Sequence, residues 1–288
     1  MRVVRGERFV GFCGGVKRAW KLAVETSENG DDDGVFISGK LIHNTPAMQE
    51  LATMGVRTLP VSLTDDDLQG EVTEALAGRT VLMRAHGESP TAFARAESLG
   101  LNVLDATCPI VTVVQKIAKQ LEDEGYQVIV FGHRDHPEAR ATVAHTEHGV
   151  IIESVEEATE LGHYAKLASI AQTTMLTADY VELCKVLENK AGVFEDRGRI
   201  CGWTQRAQGE AAELARTVES MVVVGGRDSS NTHQLVRVCS EVCPTHHIVT
   251  ADELDEAWFD SVDVVGLAAG ASTREHDIDE VVSWLEAH

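Results

Sequence analysis

The 288-residue chain is 43% apolar and 25% charged, with 46 acidic against 25 basic residues and a formal net charge of −21. Such a length supports a large core and roughly two to three small domains, and no apolar run is long enough to span a bilayer. The acidic excess argues against a general nucleic-acid or anionic-membrane binder. Met1 to Val10 carries arginines but no apolar signal core, so the expected location is the cytoplasm. Six cysteines in such a chain point to metal or redox use rather than structural disulfides.

In chain order, a strand is expected over Arg8–Gly11, then Phe12-Cys13-Gly14-Gly15, then a helix from Val16 to Ser27 with apolar positions at i, i+3 and i+4. An acidic turn at Asn29–Gly34 leads to a strand over Val35–Ser38 and the polar stretch Gly39-Lys40-Leu41-Ile42-His43-Asn44. A helix at Pro46–Met54, strands at Val56–Leu59 and Thr80–Met83, and a helix at Thr91–Leu99 follow, with His86 just past the second strand. The strand Leu101–Leu104 runs into Asp105-Ala106-Thr107-Cys108-Pro109 and a helix to Glu124. Proline suits the first helical position, where its missing N–H would have had no partner. Strands are expected at Gln127–Phe131, Val150–Glu153 and Leu167–Ala171, then a helix over Thr177–Asn189. The last third has helices at Gln205–Val218, around Leu235 and Val238, and at Asp277–Ala287, with strands at Met221–Val224, His247–Thr250 and Asp263–Leu267.

Alternating strands and helices imply parallel sheets with helices on their faces, an α/β fold. Cys13, Cys108 and Cys201 lie 95 and 93 residues apart, each where an extended segment enters a helix. The expected organisation is three similar α/β units: 12–103, 104–199 and 200–288, the last with or without 1–11. A buried inert thiol is the ordinary reading of each cysteine alone. The repeated context favours three thiolates meeting at one point, either on an iron–sulfur cluster with an open iron or on zinc completed by water. Cys184 falls on the apolar stripe of a helix and reads as core. Cys239 and Cys243, spaced i, i+4, are a weaker metal candidate.

Ligands of open parallel sheets bind beyond the carboxyl ends of the strands. The residues expected there are His43, His86, His133, His136, Glu138, Thr173, Ser229, Ser230, Asn231 and Ser272. Imidazoles, hydroxyls and an amide supply many donors with little fixed charge, which suits a small polyanion such as a diphosphate. Glu138 is the candidate proton donor beside it. A single capping serine such as Ser272, or one histidine after a strand, is usually structural. Gly225-Gly226 belongs to no G-x-G-x-x-G or phosphate-loop motif, and His136-Pro137-Glu138 lacks the P-C-x-x-C of the zinc deaminases.

Gly11-Phe12-Cys13-Gly14-Gly15-Val16-Lys17-Arg18-Ala19, His43-Asn44, Ala85-His86-Gly87, Asp105-Ala106-Thr107-Cys108-Pro109, His136-Pro137-Glu138, Gln172-Thr173-Thr174, Ser229-Ser230-Asn231 and Ala269-Gly270-Ala271-Ser272 occur in that order. The set resembles the LytB-type 4-hydroxy-3-methylbut-2-enyl diphosphate reductases, the last step of the methylerythritol phosphate route to isoprenoids. The resemblance spans about residues 10 to 275. It implies a pseudo-threefold trefoil of three units around a [4Fe-4S] cluster held by Cys13, Cys108 and Cys201, with one iron open to substrate. It implies that His43, His86, His136, Thr173, Ser229, Ser230, Asn231 and Ser272 bind the substrate, and that Glu138, Thr173 and His136 take part in the chemistry. A ferredoxin- or flavodoxin-type electron donor and a monomer or weak homodimer are the implied partners and state, with Arg197, Arg199 and Arg206 a candidate docking patch. The chain departs from the family's usual pattern after the third cysteine, where Gly202-Trp203-Thr204-Gln205-Arg206-Ala207-Gln208 replaces an Ala-Thr and Asn-Arg-Gln-like run. Two competing readings are a paralogous reductase of another allylic diphosphate and a non-catalytic iron–sulfur sensor whose cluster is closed by Cys239 or Cys243. A third is a cluster-free binder of phosphorylated metabolites.

Overall fold

The computed structural model describes residues 1–29, 34–59, 62–64, 76 and 78–288. Gly30–Asp33 of the expected acidic turn lie outside them. The strands are β1 (Arg2–Arg5), β2 (Val35–Ile37), β3 (Val56–Thr58), β4 (Thr80–Met83), β5 (Asn102–Asp105), β6 (Gln127–Phe131), β7 (Val150–Ile152), β8 (Tyr164–Ala171), β9 (Ala191–Asp196), β10 (Ser220–Val224), β11 (Thr245–Ile248) and β12 (Val264–Ala269). The helices are α1 (Gly14–Asn29), α2 (Thr45–Thr53), α3 (Pro90–Ser98), α4 (Pro109–Asp123), α5 (Pro137–Val143), α6 (Val155–Glu160), α7 (Thr177–Glu188), α8 (Gly202–Ala215), α9 (Ser230–Ser240) and α10 (Glu275–Ala287). No helix among the described residues is long and apolar enough to cross a membrane.

The strands form three four-stranded sheets of orders β3-β2-β4-β5, β7-β6-β8-β9 and β11-β10-β12-β1, and every strand pairing is parallel. The three orders are one pattern. In each sheet the first strand is interior, the second and third flank it, and the fourth is an edge. In the third sheet the amino-terminal β1 plays that fourth part, pairing Arg2 with Val264 through Arg5 with Leu267. The winding direction reverses between β2 and β4, between β6 and β8, and between β10 and β12. Such switch points open a crevice at the carboxyl ends of the strands.

The fourth strand of each sheet, β5, β9 and β1, precedes one of the three cysteines, and each cysteine precedes a helix. The chain therefore meets Cys13, Cys108 and Cys201 at equivalent places in a repeated topology. By packing, Met1–Lys17, His43–Ala47 and Cys201–His288 form one compact unit, holding the third sheet. Arg18–Ile42 and Met48–Ile200 form the other, holding the first two. Cys13 and the His43–Ala47 stretch thus pack with the third sheet.

The interior strands read as continuous apolar runs because both faces of a parallel sheet are covered. Val222, Val224, Leu267 and Ala269 make a buried cluster with Ile278, Val281 and Leu285 of α10. Val128, Val130, Ala168 and Ile170 pack on Val114, Ala118 and Leu121 of α4. That helix has Pro109 in its first turn. It ends where Gly125 N–H donates to Glu122 O (2.8 Å) and Tyr126 N–H to Leu121 O (3.0 Å), a pairing that satisfies the last carbonyls.

Two expectations change. Residues 8–11 are not a strand; the amides of Arg8 and Phe9 donate to the Glu210 carboxylate instead (3.2 and 3.3 Å), while Arg2–Arg5 takes the ladder on β12. The strand β9 and the short helices α5 and α6 have no counterpart in the sequence reading.

One close backbone approach bears on the site: a Cβ on Gly226 would collide with the carbonyl oxygen of His43. Gly226→Ala is expected to displace the His43 stretch and lower stability by about 1–3 kcal/mol, read as a drop in chemical-denaturation midpoint. Gly209→Ala, where the added methyl meets nothing within 4 Å, is the matched control, expected to be neutral or stabilising.

Candidate active site

In the unit built on the third sheet, the candidate residues gather at the β10/β12 switch point. Ser229 caps α9, its hydroxyl oxygen accepting from Thr232 N–H at 3.3 Å. The first turn of α9 is polar yet buried: Ser229 and Ser230 are 4% exposed and Asn231 is 3% exposed. Neither end of the Asn231 amide has a hydrogen-bond partner among the described residues. Buried polar groups ordinarily do, so both ends of this amide keep their hydrogen-bonding capacity for a further group. Helix amino termini favour anions, so the chemistry offered at this point is anion binding.

His43 reaches the same place from the other side of the sequence. Ser272 donates through Oγ to the His43 carbonyl at 3.0 Å, and His43 Nδ1 lies 3.1 Å from Asp228 Oδ2. Asp228 is a neighbour that the sequence reading did not single out. Cys13 is tied in through its backbone, its N–H donating to Ala271 O at 3.0 Å. Val16 N–H points at Cys13 Sγ (3.4 Å), the direction in which a helix start stabilises a thiolate. Cys201 caps α8 with no side-chain bond to the helix, so its sulfur is left for other partners.

In the other unit, Glu138, Thr173, His136, His86 and Cys108 lie beyond the strand ends of the first two sheets. Glu138 is 2% exposed. Its Oε1 accepts from Thr173 N–H at 2.5 Å and its Oε2 from Thr173 Oγ1 at 2.9 Å. Burial pushes its carboxyl up to about 7, against the two Thr173 hydrogen bonds, which favour the anion. Desolvation dominates because two neutral donors cannot replace water around a charge. His136 caps α5, its Nδ1 accepting from Glu138 N–H at 3.1 Å. The proton of a neutral His136 ring then sits on Nε2, which makes that nitrogen a donor. The His86 and His136 rings meet edge to face, 5.4 Å between centroids.

His86 sits on a turn closed by Gly87 N–H to Arg84 O (3.0 Å). Either side of it in sequence, Arg84 Nε lies 2.7 Å from Glu88 Oε1, which also accepts from Ser38 Oγ at 2.8 Å. This buried link joins the ends of β2 and β4. Cys108 is fixed by its N–H donating to Ala85 O at 2.9 Å, which puts the backbone of a candidate ligand against the residue preceding His86. His133 contributes through its backbone, its N–H donating to Gln172 Oε1 at 3.1 Å.

The remaining cysteines have other surroundings. Cys239 is fully buried beside Ala211 and Leu235, and burial pushes its thiol up to about 12, which opposes the thiolate a metal needs. Burial also raises the Cys184 and Cys243 thiols, and Cys184 packs on the core of its sheet. Of the three arginines considered for docking, Arg197 pairs with Glu195 (3.1 Å) and Arg206 lies over the Phe9 ring.

A family model described as LytB protein matches residues 4–286. The chain belongs to the LytB family. Among its relatives, the 4-hydroxy-3-methylbut-2-enyl diphosphate reductase of Geobacter sulfurreducens is 40% identical over 288 residues, covering 99% of this chain and 97% of that one. The enzyme of the same name from Caldanaerobacter subterraneus is 33% identical over 279 residues, covering 96% and 94%. Among solved structures, the E-1-hydroxy-2-methyl-but-2-enyl-4-diphosphate reductase of Plasmodium falciparum superposes with a TM-score of 0.89 at 26% identity, over 99% of this chain and 87% of that one. A second, an (E)-4-hydroxy-3-methyl-but-2-enyl diphosphate reductase described as the terminal enzyme of the non-mevalonate pathway, gives 0.68 at 33% identity over 100% of both chains. The LytB chain described here thus matches reductases along nearly its whole length.

Proposed function

We propose that this protein is a 4-hydroxy-3-methylbut-2-enyl diphosphate reductase, removing the allylic hydroxyl of its substrate as water to give isopentenyl and dimethylallyl diphosphate. Membership of the LytB family supports the reaction. The observation in this chain that carries the chemistry is Glu138, a buried carboxyl pushed up to about 7, so that it exchanges its proton near neutral pH, and hydrogen-bonded twice to Thr173.

Cys13, Cys108 and Cys201 fit the family's iron–sulfur group: three thiols, each where a helix begins, where the helix dipole offsets the negative charge of a thiolate. We assign them as ligands of a [4Fe-4S] cluster with one iron open. When bound, that cluster supplies single electrons and a Lewis-acidic position for the substrate hydroxyl.

The protein's own residues do the rest. His43, His86, His136, Ser229, Ser230, Asn231 and Ser272 hold the diphosphate by hydrogen bonds, with the Asn231 amide and the His136 Nε2–H among the donors. Ser229 already accepts from Thr232 N–H, which leaves its hydroxyl proton to donate to an anion. Ser272 gives its proton to the His43 carbonyl, so it reaches a phosphate only after its hydroxyl rotates. Glu138 delivers the proton that turns the departing hydroxyl into water. With Glu138 protonated on Oε2, the bond to Thr173 Oγ1 runs the other way, and the threonine hydroxyl passes a proton on. An electron carrier of ferredoxin or flavodoxin type supplies two electrons, and a second proton, from the substrate's own diphosphate, goes to carbon at one end or the other of the allyl group to complete the two products.

The deciding assay is anaerobic turnover of 4-hydroxy-3-methylbut-2-enyl diphosphate with a reduced viologen as donor. Formation of both five-carbon diphosphates is expected. A cluster-loaded protein inert toward this compound but active on another allylic diphosphate overturns the substrate assignment.

A further inference from the structure

Five residues after Cys13 comes Arg18, and five after Cys201 comes Arg206. Arg18 leaves α1 and donates from Nη1 to Thr107 O and from Nη2 to Asp105 O, both at 3.1 Å. Those carbonyls belong to the turn that ends at Cys108. The turn has two further ties, Thr107 N–H to Asp105 Oδ1 at 2.8 Å and Cys108 N–H to Ala85 O at 2.9 Å. Arg206 behaves comparably: its guanidinium lies 5.1 Å from the ring centroid of Phe9, four residues ahead of Cys13. In both cases an arginine on the helix after one candidate ligand engages the segment just before another.

We propose that Arg18 is a positioning residue for Cys108, clamping the Asp105–Thr107 turn so that the thiol direction is set before any cluster binds. This rests on the reading of Cys108 as a cluster ligand. A planar guanidinium reaches two carbonyls at once, whereas a lysine ammonium on its flexible stem behaves as a point charge. Groups that orient a metal ligand without touching the metal ordinarily cost about 10–100-fold in metal affinity or activity when removed. A ligand on a loosened turn leaves the metal more often and recaptures it more slowly.

The test compares the full-length protein with Arg18→Met, Arg18→Lys and Lys21→Met, each reconstituted anaerobically to equal iron content and challenged with a ferrous-iron chelator. Arg18→Met is expected to release iron about tenfold faster than the unaltered protein, with Arg18→Lys between them. Lys21, exposed on the same helix and facing Glu25 at 3.5 Å, serves as the control and keeps the original rate. Should Arg18→Met not fold, Arg18→Lys is examined without metal, where exchange of the Thr107 and Cys108 amides is expected to accelerate severalfold. Iron release and amide exchange unchanged in the Arg18 variants, from a parent protein that loads iron normally, overturn the positioning role alone. A parent protein that takes up no iron overturns the reading of Cys108 as a ligand, and this role with it.

Discussion

Glu138→Gln is expected to bind substrate with little change in KM and to lose about 10²–10⁴-fold in kcat, the usual range for a positioned acid. The amide keeps the shape and both contacts: its oxygen accepts from Thr173 N–H, and its NH₂ donates to Thr173 Oγ1. Only the proton is gone. The same substitution has a stability signature. The carboxyl titrates near 4.5 in the unfolded chain and about 7 in the fold, so between those values the folded protein binds more protons. Stability from this group is therefore fully present below about pH 4.5 and lost as pH rises through 7, a loss on the order of 3 kcal/mol. Glu138→Gln removes that slope and is expected to be more stable than the parent at pH 8, measured by urea midpoints from pH 5 to 8. In the parent, kcat should fall as pH rises through about 7. Near-normal turnover by the variant, or a flat parent stability profile across this window, contradicts the assignment.

The second large effect is at Cys108. The residue caps α4 with Pro109 following, and serine is a better cap than cysteine at such a place. Cys108→Ser is therefore expected to leave metal-free stability unchanged or slightly raised, while abolishing turnover and preventing formation of the intact cluster. Separating fold from function in this way is informative, because a core cysteine would respond oppositely. Cys243→Ser is expected to retain both iron and activity, which distinguishes an open three-cysteine site from one closed by a fourth thiol. Full activity in Cys108→Ser, or loss of iron in Cys243→Ser, contradicts the ligand set.

Much of the fold was legible because parallel sheets leave strong marks: continuous apolar strands such as Gln127–Phe131, and helix-start residues such as Pro109. The misplaced first strand shows the limit. Arg2–Arg5 carries little apolar pattern, and its strand character comes from a partner, β12, more than 250 residues away in sequence. β9 is hidden for a related reason, being an edge strand with a half-exposed, acidic-ended sequence that only pairing with β8 makes extended. The helices α5 and α6 are too short for a periodic signal.

At the site, sequence order alone put Glu138 and Thr173 after neighbouring strands β6 and β8. Their two-point hydrogen bonding, and the burial that pushes the Glu138 carboxyl up, are properties of packing. Arg18, Asp228 and the Arg84–Glu88 pair act through contacts with distant backbone or with partners whose spacing carries no motif. The three cysteines stood out because topology repeats their setting, strand edge to helix start, three times.

The proposed iron–sulfur site is held by three cysteines and open to substrate. Mössbauer spectroscopy of anaerobically reconstituted, iron-57-loaded protein tests it directly, read before and after adding 4-hydroxy-3-methylbut-2-enyl diphosphate. About four irons per chain are expected, as in a cubane cluster, with one site distinct from the other three and its signal alone shifting on substrate addition. Four equivalent irons indifferent to substrate, or a protein that binds no iron, would contradict it.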